Sequence, residues 1–181
     1  MLLVVDNGSV YTNSIIESLK EIKINYRHVL FGNITESDIE ESHSIILSGR
    51  RQNDSAMNAT NSKLIRYCLA KKKPLLGICY GAEILAITLG GTIKKMAEPR
   101  HGIRHVNVTQ DNPLCKGKVQ AFESHSYQVA TLDPAFNVLA SSDACRFEIF
   151  RYGNENIFGT QFHPEMSDDG KNLLKNFVSI K

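Results

Sequence analysis

Two rhythms divide the chain. Up to about residue 91, short continuously apolar runs alternate with segments whose apolar residues recur at helical spacing. Leu2–Asp6 (LLVVD), Ser44–Gly49 (SIILSG) and Lys73–Ile78 (KPLLGI) read as buried strands, and Ile24–Leu30 (INYRHVL) as an alternating one. Between them, Ile15, Ile16, Leu19 and Ile22 predict a helix capped by Thr12 or Asn13, and Ser62–Ala70 predicts a second. Arg50–Asn61 reads as polar loop, and a third helix over Ala82–Leu89 is stopped by Gly90-Gly91. Strand and helix in alternation predict an α/β fold, a mostly parallel sheet with helices on both faces. Beyond residue 91 the rhythm changes. IRHVNVTQ, GKVQAFES, YQVATL, NVLASS, CRFEIFRY and NIFGTQF alternate apolar with polar and are set apart by turn residues. They predict antiparallel hairpins extending the sheet, followed by a C-terminal helix capped by Ser167 or Asp168.

Composition narrows this little. A chain of 181 residues with net charge +2 suits one domain, 1–181, without linker, repeat or low-complexity tract. Its basic residues are scattered apart from Lys71-Lys72-Lys73, which suits a helix C-terminus, so no nucleic-acid partner is expected. No stretch approaches the ~20 apolar residues of a membrane span. The opening MLLVVDNG lacks a basic leader and a cleavage site, so a cytoplasmic protein is expected. The four cysteines form no C-x-x-C pair and no His/Cys spacing suits zinc, so free thiols and no metal or other cofactor are expected.

One cysteine has a special frame. In LLGICYGAEIL, Gly77 and Gly81 flank Cys79 where an apolar strand runs into a helix. A sharp strand-to-helix turn needs small neighbours, and G-x-C-x-G is that nucleophile elbow. The helix N-terminus then favours thiolate over thiol, and the Tyr80 N–H stands where an oxyanion would form. Taken alone, the frame also fits a buried free cysteine. Cys68, Cys115 and Cys145 lack it and read as structural. A thiolate needs a base, and His163 in GTQFHPEM follows an apolar strand with Glu165 two residues on. In an extended segment the two side chains point the same way, so Glu165 would hold the imidazole in one tautomer.

PLLGICYG together with GTQFHPE resembles the class I (triad) glutamine amidotransferases. VVDNGSVYTN is similar to the family's opening strand and turn, IILSG to the strand before its oxyanion loop, and FESHSYQV to its S-H-x-x-x-V segment. These motifs stand in family order over nearly the whole chain. Within the family, SSDACRFEIFRYGNENIFGTQFHPE and DNGSVY are most similar to free-standing amidotransferase subunits of GMP synthase, and less so to those of anthranilate or aminodeoxychorismate synthase. The resemblance implies a flavodoxin-like three-layer fold and hydrolysis of glutamine to glutamate and ammonia. Cys79 would be the nucleophile, His163 the base and Glu165 its orienting acid. Tyr80 and the Gly49–Arg50 loop would hold the oxyanion, and Ser124, Ser126 and Tyr127 the amino-acid end of glutamine. Ammonia would pass to a separate synthetase chain, an ATP-pyrophosphatase type being favoured.

The chain also departs from that pattern. Arg50 and Arg51 replace a glycine and proline of the oxyanion loop, and arginine is disfavoured in a left-handed conformation if the loop needs one. Ala82 and Glu83 stand where the family has histidine or methionine and then glutamine. Glu83 accepts a bond from the substrate ammonium but repels its carboxylate, which weakens glutamine binding. A non-catalytic binding module and a γ-glutamyl hydrolase therefore remain open. His101 and His105 read as exposed loop and strand positions.

Overall fold

The continuously apolar runs lie side by side at the centre of one sheet. In the computed structural model, residues 1–180 are described. The elements are β1 (Leu2–Asn7), α1 (Thr12–Glu21), β2 (Tyr26–Leu30), α2 (Glu36–Glu41), β3 (Ser44–Arg50), α3 (Ser55–Lys71), β4 (Leu75–Ile78) and α4 (Tyr80–Thr88). There follow β5 (Thr92–Val108), β6 (Lys118–Thr131), β7 (Phe136–Ser141), β8 (Ile149–Tyr152), β9 (Ile157–Thr160) and α5 (Asp168–Val178). The nine strands run in the order β2-β1-β3-β4-β9-β8-β7-β5-β6. Pairings from β2 through β9 are parallel, and those from β9 outward are antiparallel. The α/β class, the parallel core and the antiparallel extension match the reading of the sequence.

Successive residues of β1 serve opposite faces, as a strand dictates. Leu2 and Val4 join Ile15 and Leu19 of α1 and Leu173, Leu174 and Phe177 of α5 in one core. Leu3 and Val5 join Leu64 and Ile65 of α3 and Leu85 of α4 in the other. Burial on both faces between two helix layers explains why the central strands β1, β3, β4 and β9 carry no polar alternation. No described helix is long and apolar enough to cross a membrane.

Several local expectations fail, each for an identifiable reason. Neither Thr12 nor Asn13 caps α1. Tyr11 holds that position without a side-chain cap, and the Thr12 hydroxyl donates to Asp6 Oδ1 at 2.9 Å instead. The supposed loop 50–61 is helical from Ser55, because Asp54 accepts from the Met57 N–H at 2.9 Å and caps it. Its buried stripe of Met57, Asn61, Leu64, Ile65 and Cys68 begins with too little apolar character to read as a helix. α2 carries no apolar stripe either, and it starts from a capping box between Thr35 and Asp38. The first three hairpin segments merge into two long strands, β5 and β6, with a register shift between Lys95 and Arg100. Ser167 does cap α5.

Candidate active site

The end of β4 shows why Cys79 sits between glycines. Cys79 has φ 51° and ψ −105°, a conformation that strains any residue with a side chain. A Cβ on Gly77 would lie 2.4 Å from the backbone of Gly81, and one on Gly81 would lie 2.4 Å from the Leu47 carbonyl oxygen of β3. The turn closes only with both glycines. The Cys79 N–H donates to the Thr160 carbonyl at 2.7 Å, which pins the elbow to β9. As the first residue of α4, Tyr80 has an N–H with no acceptor inside its helix.

His163 reaches Cys79 from the end of β9. Its N–H donates to the Phe122 carbonyl of β6 at 2.8 Å, and its Nδ1 lies 2.8 Å from Glu165 Oε1. The segment is not extended as expected. Pro164–Met166 form a single 3₁₀ turn, which folds the Glu165 carboxylate back under the ring. Burial lowers the His163 pKa, but the hydrogen-bonded Cys79 sulfur and the Glu165 carboxylate outweigh it and hold the imidazole well above the ordinary histidine value. At the other three cysteines burial prevails. Burial pushes Cys68 and Cys145 up to about 12 and Cys115 to about 11, so all three stay protonated at neutral pH.

Gly49 is explained by contact rather than by dihedral angle. A Cβ there would meet His163 Cε1 at 3.0 Å and Ser9 Oγ at 3.2 Å. Arg50 needs no left-handed backbone. It ends β3, paired with Asn7 and bridged to Gly8, and is absent from the described residues with positive φ. The expected strain at Arg50 is therefore not there. The end of β3 is fixed by a buried network in which the Asn7 amide donates to Ser48 O at 3.1 Å and Asn61 Nδ2 donates to Asn7 Oδ1 at 2.8 Å.

A pocket of about 820 Å³ opens over Cys79. It brings together Arg50, Tyr80 and Glu83 from β3 and α4 with Ser124, Ser126 and Tyr127 from β6. His163 and Glu165 are buried beside it. Arg50 lies 4.2 Å over the Tyr80 ring, and its Nη1 donates to Asn53 and, at 3.4 Å, to Asn58. Asn58 also accepts from the Tyr80 hydroxyl at 2.8 Å. Glu83 is buried, and Gln161 Nε2 donates to its Oε1 at 3.5 Å. Burial raises the Glu83 pKa, opposed chiefly by the Arg50 charge. Ala82 is a packing residue rather than a pocket residue. It lies so close to Gly159 that a Cβ on that glycine would stand 3.1 Å from its own.

Reading the sequence missed four residues here. The Tyr11 ring meets the His163 ring edge-on at 4.6 Å and its hydroxyl donates to Ser124 Oγ at 3.1 Å. Asn58 fastens Arg50 and Tyr80. Gln161, two residues before His163, bonds both Glu83 and, through Oε1, the Val129 N–H at 3.0 Å. His125 bonds the Tyr127 carbonyl through Nδ1 at 2.8 Å, and its Nε2 lies 3.5 Å from Glu123. Gln161 lies in the GTQFHPE run, His125 in FESHSYQV and Tyr11 in VVDNGSVYTN, whereas Asn58 lies in no motif. Behind this wall Glu123 and Glu148 are both fully buried, and burial together with Glu123 raises Glu148 to about 7.

A thiol, an imidazole that shares its proton and a carboxylate behind it are the parts of acyl transfer through a covalent intermediate. Comparison with known proteins agrees with that geometry. The sequence model of the family described as "Glutamine amidotransferase class-I" matches residues 3–180. The chain is 33% identical to a glutamine-hydrolyzing GMP synthase subunit of Methanocaldococcus jannaschii, over 99% of this chain and 97% of that protein. It is 35% identical to the glutamine-hydrolyzing GMP synthase of Campylobacter jejuni, over 98% of this chain but only 35% of that longer protein. A crystal structure from Thermoplasma acidophilum, named provisionally as a GMP synthase subunit, superposes with TM-score 0.87 at 27% identity, covering 98% of this chain and 91% of that one. The chain belongs to the class-I glutamine amidotransferases.

Proposed function

We propose that this protein hydrolyses the side-chain amide of glutamine and delivers the ammonia to a separate synthetase chain, that of GMP synthase. The observation that carries the reading is Cys79 on its strained elbow, hydrogen-bonded to a His163 whose Nδ1 is 2.8 Å from Glu165. The Cys79 sulfur attacks the amide carbon, and the oxyanion is held by the Tyr80 N–H and the backbone of the Gly49–Arg50 segment. The His163 imidazolium gives its proton to the leaving nitrogen, so ammonia departs and a thioester remains. A water then attacks the thioester with neutral His163 as base. Glutamate leaves, and the thiolate and imidazolium are restored. Glu165 stabilises the imidazolium throughout. Ser124, Ser126 and Tyr127 hold the amino-acid end of the substrate.

The relatives named as glutamine-hydrolyzing subunits of GMP synthase support the choice of partner, and an ATP-pyrophosphatase-type synthetase fits it. None of the four cysteines is disulfide-bonded, which supports a reducing compartment such as the cytoplasm. The test is ammonia release from glutamine by the chain alone and with the GMP synthetase chain of the same source. Cys79→Ala is expected to lower the rate by roughly 10⁴-fold or more. Release that survives the substitution overturns the thioester route. Release from other γ-glutamyl amides but not from glutamine overturns the substrate, and no stimulation by the synthetase overturns the partner.

A further inference from the structure

Tyr11 is a poor choice for the place it holds in the chain. It stands at the cap of α1, where Ser, Thr, Asp and Asn are preferred, and its side chain makes no capping bond. The turn that carries it is nevertheless closely specified. Gly8 has φ +81°, and its N–H donates to Asp6 Oδ1 at 2.8 Å. The Tyr11 N–H donates to Ser9 Oγ at 3.1 Å, and Gly8 is bridged to Arg50 at the end of β3. A turn fixed at so many points delivers one side chain to one place. A helix-cap rule broken inside such a turn points to a functional demand on that side chain.

The place is the face of the imidazole. The Tyr11 and His163 rings meet with centroids 4.6 Å apart and an interplanar angle of 62°. On Tyr11 the Phe122 ring also packs, at 5.6 Å, and Phe122 supplies the carbonyl that accepts the His163 N–H. The far end of the side chain is tied down as well, since the hydroxyl donates to Ser124 Oγ at 3.1 Å. Tyr11 is therefore a strap from the turn after β1 to β6, with His163 packed against its span. The imidazole must keep Nδ1 on Glu165 and its hydrogen bond to Cys79 at the same time, which only one ring orientation allows. Gly49 limits that ring at Cε1, where a built Cβ would stand 3.0 Å away. Tyr11 itself does not line the pocket over Cys79.

We propose that Tyr11 is a positioning residue for the base: anchored to Ser124, its ring holds the His163 imidazole in the orientation that serves Cys79 and Glu165 together. The proposal rests on the amidase reading above and adds a residue to its machinery. Edge-on aromatic pairs contribute beyond the area they bury, and a misplaced catalytic group costs rate steeply.

The test compares Tyr11→Leu and Tyr11→Phe with wild type in the full chain. Titration of the His163 imidazole by NMR, assigned with a His163→Asn variant, needs no substrate. Cys79 and Glu165 hold the His163 pKa up, so loosening the ring lets it fall. The midpoint is expected at lower pH in Tyr11→Leu than in wild type, with Tyr11→Phe between the two. With glutamine and the synthetase, kcat is expected to fall on the order of 10-fold in Tyr11→Leu and roughly 3-fold in Tyr11→Phe, while KM stays the same. A residue that only stabilises the turn would lower the urea midpoint and leave the His163 titration and kcat in place, and that result overturns the proposal. A rise in KM at unchanged kcat overturns it too, because Tyr11 would then belong to the substrate wall. If Tyr11→Leu does not fold, Tyr11→Phe decides, and a kcat equal to wild type there overturns the proposal. The amidase reading fails separately, if the wild-type chain with its synthetase releases no ammonia from glutamine, and the NMR comparison still tests Tyr11 in that case.

Discussion

The ends of the parallel strands β3 and β4 and the antiparallel strands β5 and β6 all reach one pocket, and their surroundings are positioned by different means. On the parallel side, position comes from the backbone. Cys79, His163 and Glu165 stand at strand ends, and glycines at 49, 77 and 81 sit where a Cβ would strike His163 Cε1 at 3.0 Å, the Gly81 backbone at 2.4 Å and the Leu47 carbonyl at 2.4 Å. On the antiparallel side, position comes from side chains that meet across long sequence distances. Tyr11 reaches Ser124, Gln161 reaches Val129, and His125 and Glu123 sit side by side under Tyr127. The first kind of site tolerates no added atom. The second depends on side-chain contacts and on buried charge.

The same substitution made on each side separates the two kinds. Gly77→Ala drives a Cβ into backbone that cannot yield, and the expected loss of stability is about 3 kcal/mol or more. Gly117 has φ +69° but nothing within 4 Å of a built Cβ. Gly117→Ala is therefore expected to cost only about 1 kcal/mol, the strain of the dihedral alone. Urea denaturation of both variants measures the difference. Equal losses would mean that close packing does not hold the elbow.

The next largest effect tests the parallel side by charge instead of volume. Glu165→Gln keeps the shape of the acid and removes its charge, so His163 loses one of the two groups that raise its pKa. A raised histidine pKa contributes stability that is fully present below the unfolded value of about 6.5 and is lost as pH rises through the folded value. In the variant that loss occurs at lower pH. The alkaline limb of kcat/KM, where the imidazolium is no longer available to protonate the leaving nitrogen, should move down with it, and kcat should fall roughly 100-fold. A limb that stays in place would show that Glu165 orients the ring without setting its charge. A direct imidazole titration by NMR decides the point independently.

The contrast also explains what the sequence disclosed. Cys79, His163 and Glu165 were legible because backbone demands leave local marks: glycines at fixed offsets, an apolar run that stops, a proline that locks a turn. The buried parallel strands were legible for the same reason. α3 was cut short because its first two turns are covered by Ser, Asn and Thr, and its stripe starts at Met57 and the buried Asn61. The extended reading failed beyond His163, which is itself extended, because Pro164 opens a 3₁₀ turn. The contacts of Tyr11 and Asn58 were not legible, although Tyr11 lies in the VVDNGSVYTN run. Their places depend on β6 and on Arg50, which are near in space and distant in sequence or masked by loop-like composition.

The smallest of these effects concerns the antiparallel side. Glu148 and Glu123 are buried together, with Arg100 3.6 Å and His125 3.5 Å from Glu123. Burial first, and Glu123 second, raise Glu148 from 4.5 to about 7. The folded state thus keeps a proton that the unfolded chain releases at lower pH, and stability is lost as pH rises through that interval and stays lost above it. Glu148→Gln cannot ionise, yet it still accepts the Ser142 hydroxyl that now bonds Glu148 Oε1 at 2.7 Å. The variant should match wild type at roughly pH 5 and exceed it by on the order of 2 kcal/mol at roughly pH 8. Denaturation midpoints at the two pH values measure this. A gain of equal size at both would trace to packing, and the charge account of this side of the pocket would fall. A gain confined to high pH would trace to the ionisation of the buried Glu148 carboxyl.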